Sequence, residues 1–135
     1  MGTPSGRRVG EEDYLKRNYP EHRLSAAVAE YLKYALPPDC YATSVGHGGG
    51  GKIRGALLQK SGVRPGFPDW LLIYNGHAFL IELKAPRGAV SADQQVCHAA
   101  LRRAGCPAVH IARSLDDVEA ALKEWGIPIR ATTVI

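Results

Sequence analysis

The sequence predicts an α/β fold, a mixed central β-sheet flanked by helices. Three observations carry that prediction. An Asn75-Gly76 pair stands between apolar runs around Leu71-Leu72-Ile73 and Phe79-Leu80-Ile81, the strongest short-range signal for a two-residue hairpin turn. Both faces of that hairpin are apolar, Leu71, Ile73 and Leu80 on one, Trp70, Leu72, Phe79 and Ile81 on the other. Strands of this kind lie centrally in a sheet covered by helices on both sides. Finally, a capping box, Ser91-Ala92-Asp93-Gln94, opens a helix that joins the second hairpin strand to a further strand at 108–112. A crossover of that kind is right-handed and makes the two strands parallel.

The elements follow in order along the chain. Residues 1–18 begin Gly-, Arg- and Ser-rich and are expected to be disordered or flexible. From Tyr19-Pro20-Glu21 the pattern turns helical: Leu24, Val28, Tyr31 and Leu32 recur at helical spacing, and Pro37-Pro38 stops the helix. Glu21 stands one turn before Leu24 and so shares its buried face, either as a first-turn charge favoured by the helix dipole or as part of a site. Residues 39–45 read as a strand. The glycine-rich run Gly46-His47-Gly48-Gly49-Gly50-Gly51-Lys52 follows, then a short helical turn at 56–59. Gly46 to Lys52 fits a phosphate-loop spacing, but Ile53 stands where that motif needs Ser or Thr to hold magnesium, so no nucleotide cofactor is expected. Gly62-Val63-Arg64-Pro65-Gly66-Phe67-Pro68 leads extended into the hairpin. Beyond it, Gln94, Cys97, Leu101 and Ala104 line one face of the capped helix, which Gly105 closes. Ser114 caps a last helix with Leu115, Val118, Ala121, Leu122 and Trp125 as its buried stripe. Residues 127–135 are expected as an edge strand or an arm reaching to a second subunit.

The hairpin register has a chemical consequence. If Asn75 and Gly76 form the turn, Tyr74 faces His77, and counting outward brings Asp69 opposite Glu82 on one face of the sheet. Their Cβ atoms should lie roughly 5 Å apart. Lys84, two residues beyond Glu82, joins them. Like charges facing each other in a sheet repel, and the rest of that face is apolar. A cation between the carboxylates would relieve the repulsion, and two carboxylate oxygens with open positions suit Mg²⁺, held by these groups, waters and substrate phosphates. The alternative is a carboxylate–lysine salt bridge at a sheet end.

Composition narrows the function classes. The chain has 135 residues, 45% apolar and 22% charged, with a net charge of +4: one domain with a proper core and a mild preference for acidic partners. Cys40, Cys97 and Cys106 show no paired spacing, which fits a reducing compartment better than a disulfide framework. A zinc site from Cys97, Cys106 and His110 would match no usual ligand pattern. No run is long enough to span a membrane, and no secretory segment stands out.

These residues resemble a known family. Pro68-Asp69, a hairpin and Glu82-Leu83-Lys84, after an α-helix, form the signature of the PD-(D/E)XK nuclease superfamily. The Gly62-Val63-Arg64-Pro65-Gly66-Phe67-Pro68-Asp69 lead, Phe79 to Lys84, Gly88 and Ser91-Ala92-Asp93-Gln94 resemble a stand-alone VRR-NUC domain of phage or bacterial type. The resemblance covers most of residues 19–126.

It implies a restriction-endonuclease-like core and a divalent-metal-dependent endonuclease acting on DNA in the cytoplasm of a bacterial or phage-infected cell. Asp69 and Glu82 would be metal ligands for Mg²⁺, with Mn²⁺ able to substitute, and the Leu83 backbone carbonyl would complete the protein side of the shell. Lys84 would position the hydrolytic water, Glu21 would complete the acidic cluster, and Gln94 would lie near the site as well as in its capping box. His47, Lys52, Arg54, Arg64 and Arg87 are the candidate DNA contacts. His47 stands where relatives commonly carry asparagine. Stand-alone relatives resemble junction-resolving enzymes and act as homodimers, which implies branched DNA in recombination or repair. A non-catalytic DNA-binding module on the same fold, or a nuclease acting on plain duplex DNA or RNA, is the alternative.

Overall fold

The structure, a computed structural model, describes residues 20–45, 56–57 and 59–130, with the side chains of 20–22 outside that description. The elements are α1 (Pro20–Ala35), β1 (Cys40–Ser44), β2 (Trp70–Tyr74), β3 (His77–Leu83), α2 (Ala92–Arg103), β4 (His110–Ala112) and α3 (Leu115–Glu124). The strands form a four-stranded sheet in the order β1-β2-β3-β4. β2 pairs antiparallel with β1 on one side and with β3 on the other, whereas β3 and β4 run parallel across the α2 connection. The sheet is therefore mixed and the fold α/β, as the sequence predicts.

The hairpin has the expected register. Tyr74 faces His77 and Trp70 faces Ile81, and both turn residues adopt positive φ, +53° at Asn75 and +79° at Gly76. That pair of angles defines the type I′ turn whose twist matches the flanking strands. One sheet face carries the main core: Leu72, Phe79, Ile81 and Leu83 pack with Val28 and Leu32 of α1 and Val118 and Leu122 of α3. Phe79 also stacks on Trp125 at 4.9 Å between ring centroids.

The opposite face departs from the expectation of cover on both sides. Ile73 is 42% exposed, and Tyr41, its partner across the β1–β2 ladder, is exposed as well. α2 overlies this face, yet contains no fully buried residue. Ala104, expected on its inner face, is exposed, while Gln94, Cys97 and Leu101 are half-buried. Polar contacts and one close backbone approach hold this helix. A Cβ on Gly66 (φ +82°) would sit 2.7 Å from the Gln94 nitrogen, so only glycine lets the loop before β2 lie against the first turn of α2.

Both C-terminal helix ends are closed by Schellman motifs. Cys106 N–H donates to Leu101 and Gly105 N–H to Arg102, and the same pattern links Ile127 to Leu122 and Gly126 to Lys123. Past α3, Ile127 is buried, and Arg130 docks on the end of α1 through Ala35 O (2.7 Å, from its backbone N–H) and Lys33 O (3.1 Å, from its guanidinium). Residues 127–130 form no strand. The segments 1–19, 46–55 and 131–135 lie outside the described residues, and with them His47, Lys52, Arg54 and the phosphate-loop spacing.

Candidate active site

The site grows out of the hairpin's far end. Tyr74 and His77 close a two-residue turn, so hydrogen-bonded and non-hydrogen-bonded pairs alternate outward from them. Trp70–Ile81 is a hydrogen-bonded pair, and the next step, Asp69–Glu82, is a non-hydrogen-bonded one, where facing side chains come closest. Val45 N–H donates to the Asp69 carbonyl at 2.7 Å, which turns the Asp69 backbone toward β1 as this alternation requires.

One step further, Leu83 stands opposite Pro68. The Leu83 N–H points toward β2 and donates to Asp69 Oδ2 at 2.7 Å. In a strand the carbonyl of the same residue points the same way. The residue that would donate to it is Pro68, which has no N–H. No ladder hydrogen bond can close on the Leu83 carbonyl from that side. The Pro-Asp pair thus has a physical reading: the proline withholds a donor and the aspartate binds the vacated strand end.

Glu82 is 2% exposed and Lys84 8% exposed, the two buried charged residues among those described. Lys84 N–H donates to Ala112 O at 2.9 Å, which carries the β3–β4 pairing one residue beyond β3 and fixes the lysine backbone beside the carboxylates. Gln94 reaches Glu82 from α2: its Nε2 donates to Oε2 at 2.8 Å. The same side chain accepts from Ser91 N–H through Oε1 at 2.9 Å, while Ser91 Oγ accepts from Gln94 N–H at 3.2 Å. Gln94 thus serves the capping box and contacts Glu82 at once, because its amide offers an acceptor to the cap and a donor to Glu82.

His98 was not among the sequence candidates. It sits one turn beyond Gln94, and its Nε2 lies 3.5 Å from Glu82 Oε1. Burial, with the Lys84 charge beside it, pushes its imidazole below the usual histidine range. Cys97, on the same side of α2, has its thiol pushed up by burial and by Glu82, while Arg64 pulls the other way. The Arg64 side chain itself is exposed. Helical spacing from Gln94 is the signal that could have found His98.

Arg113 was also missed. Its guanidinium donates to Ala85 O at 2.8 Å and to Gly88 O at 2.6 Å, clamping a tight turn that Gly88 N–H closes on Ala85 O. Arg87 is exposed at the tip of that turn. No local pattern announces this clamp, since the partners of the Arg113 guanidinium are more than twenty residues away in sequence. Glu21 lies in the first turn of α1, with its side chain outside the described residues.

The donors that gather here are oxygens: two carboxylates facing across the hairpin and a carbonyl that the ladder leaves to them. That set suits a hard divalent cation whose remaining positions go to water or phosphate. Among the described residues no group of three or more His, Cys, Asp and Glu is gathered as a metal cage. Cys97, Cys106 and His110, the zinc set weighed from the sequence, form no such group among the described residues, and His110 Nδ1 lies 3.8 Å from Glu124 instead.

No family model and no curated protein matches the chain. Solved structures do. One described as a "VRR_NUC domain protein" superposes with a TM-score of 0.63 and 20% identity, covering 80% of this chain and 88% of its own. Another, described as a "VRR_NUC domain", gives 0.55 and 18%, covering 78% and 97% respectively. By the course of its backbone, this chain has the fold of the VRR_NUC domain.

Proposed function

We propose that this chain is a divalent-metal-dependent nuclease that hydrolyses phosphodiester bonds in DNA. The observation that carries the reading is the facing pair Asp69–Glu82 with Lys84 on the same sheet face, assembled on a fold shared with VRR_NUC domains. A structural salt bridge would not need the proline that keeps a carbonyl out of the ladder, nor a glutamine that holds one carboxylate oxygen of a buried glutamate.

Each residue has a role in this reading. Asp69, Glu82 and the Leu83 carbonyl would hold the cation, with Glu21 as a further acidic ligand. When bound there, Mg²⁺ or Mn²⁺ supplies charge neutralisation at the scissile phosphate and acidifies a water. Lys84 orients the attacking water through its ammonium N–H groups and offsets the charge that builds on the phosphoryl oxygens. Gln94 keeps the Glu82 carboxylate from rotating. Arg64 and Arg87, together with His47, Lys52 and Arg54 of the glycine-rich segment, contact backbone phosphates, so binding weakens steeply with salt. The preferred substrate is branched DNA of the kind formed in recombination and repair. Two copies related by a two-fold axis would present two such sites to the two sides of a branch.

The test is cleavage of labelled four-way junction, flap, plain duplex and single-stranded RNA by the wild-type protein, with sedimentation to count subunits. Preferential cutting of junction or flap supports the full reading. Equal cutting of plain duplex or RNA would retain the chemistry and reject branched DNA as substrate. Binding of DNA with no cutting of any substrate in Mg²⁺ or Mn²⁺ would make the protein a binding module and reject the nuclease.

A further inference from the structure

We infer that His98 is a positioning residue for Glu82, the second half of a two-point rest that α2 provides for this metal-binding carboxylate. The inference depends on the nuclease reading above and adds to it a residue that the resemblance does not assign. Gln94 and His98 lie one helical turn apart on the same face of α2 and meet different oxygens of the same carboxylate. Gln94 Nε2 is 2.8 Å from Oε2, and His98 Nε2 is 3.5 Å from Oε1.

The surroundings argue against an ordinary core histidine. Its side chain is 16% exposed beside a Glu82 side chain that is 3% exposed, and Nε2 has no closer hydrogen-bond partner among the described residues. α2 has no fully buried side chain that would anchor it by apolar packing. Placing a ring nitrogen in a dry position with so long a contact costs desolvation that packing alone does not return. The arrangement makes sense if the contact tightens when Glu82 turns toward a cation. Hydrogen bonds at such sites are often long before the working complex forms. In the tautomer protonated on Nε2, the imidazole donates to Oε1 and steers the carboxylate, the role that outer partners play around metal ligands.

Three proteins test this: wild type, His98→Leu and His98→Gln. Leucine fills the space without a donor, whereas glutamine restores an N–H at about the reach of Nε2. Binding of Mn²⁺ to the DNA-free protein, read from the loss of the free-ion electron paramagnetic resonance signal, gives the affinity apart from catalysis. Cleavage in Mg²⁺ and thermal melting are measured in parallel. His98→Leu should weaken Mn²⁺ binding on the order of 10- to 100-fold, with an unchanged metal-free affinity for DNA, and His98→Gln should recover most of the loss. Unaltered Mn²⁺ affinity in a folded His98→Leu protein that still cuts DNA would overturn the inference alone. So would a loss in His98→Leu that His98→Gln fails to recover. Wild-type protein that binds no Mn²⁺ and cuts no DNA would overturn the nuclease reading and this inference together.

Discussion

Replacing Gly66 by alanine should unseat the helix that braces Glu82. Gly66 follows Pro65 with φ at +82°, the combination of a type II turn. An alanine there adopts a left-handed backbone at a cost of roughly 1 to 2 kcal/mol. Its Cβ would also meet the backbone of α2, 2.5 Å from the Asp93 carbonyl carbon and 2.7 Å from the Gln94 nitrogen, where ordinary contact begins at 3.4 Å. Backbone cannot swing aside as a flexible side-chain tip can. Relieving the clash moves the first turn of α2 outward by roughly 0.7 Å or more, and overpacking of this kind costs about 1 to 3 kcal/mol. The same displacement stretches the Gln94–Glu82 bond from 2.8 Å to the limit at which a hydrogen bond survives. The combined destabilisation is about 2 to 5 kcal/mol, or on the order of 7 to 20 °C in Tm. Thermal melting of Gly66→Ala against wild type measures the first effect, and Mg²⁺-dependent cleavage below both melting temperatures measures the second. A variant that melts within 2 °C of wild type and cuts at the wild-type rate would refute the close approach and the coupling argued from it.

Other consequences are simpler. Arg113→Ala removes two donors from the Ala85–Gly88 turn, so urea unfolding should show a loss of about 1 to 3 kcal/mol, with DNA affinity reduced several-fold as Arg87 loses its fixed place; unchanged affinity would detach Arg87 from phosphate contact. Tyr31 has a buried hydroxyl without a hydrogen-bond partner among the described residues, so Tyr31→Phe should leave stability equal or slightly higher at neutral pH. Burial, with Glu119 nearby, pushes the Tyr31 phenol up from 10.0 to about 12. The folded protein then keeps a proton that the unfolded chain releases. Its contribution is complete below pH 10 and is lost as pH rises toward 12, and the part of the alkaline loss that Tyr31 causes should vanish in Tyr31→Phe. A Tyr31→Phe protein that loses stability over that range as steeply as wild type would contradict this.

What the sequence reveals divides by the range of the interactions. The hairpin register is legible because a two-residue turn leaves no freedom: once Asn75 and Gly76 are placed, the pairing of Asp69 with Glu82 follows by counting. The capping box is equally local, and Gln94 carries its second role only because its amide has two ends. His98 differs. Helical spacing puts it beside Gln94, but its meeting with Glu82 depends on where α2 crosses the sheet, which the backbone contact at Gly66 decides from far away in sequence. Arg113 reaches the turn after Lys84 only through the parallel pairing of β3 and β4. The exposed Ile73 shows the limit of hydrophobic patterning, since an apolar side chain states a preference for burial without supplying the partner that would cover it. α2 misleads in the opposite sense: an apolar stripe suggests deep packing where polar contacts to one carboxylate hold the helix.

The proposed arrangement has Asp69 and Glu82 sharing a divalent cation that Lys84 serves in phosphodiester hydrolysis. Its most direct test is cleavage of labelled branched DNA with and without Mg²⁺ by wild type, Asp69→Asn, Glu82→Gln and Lys84→Met, with metal-free DNA binding recorded for each. The expected result is cutting that needs the cation and falls by orders of magnitude in every variant, with DNA affinity within a few-fold of wild type. Cutting that persists in chelator, or in Asp69→Asn and Glu82→Gln, would contradict it.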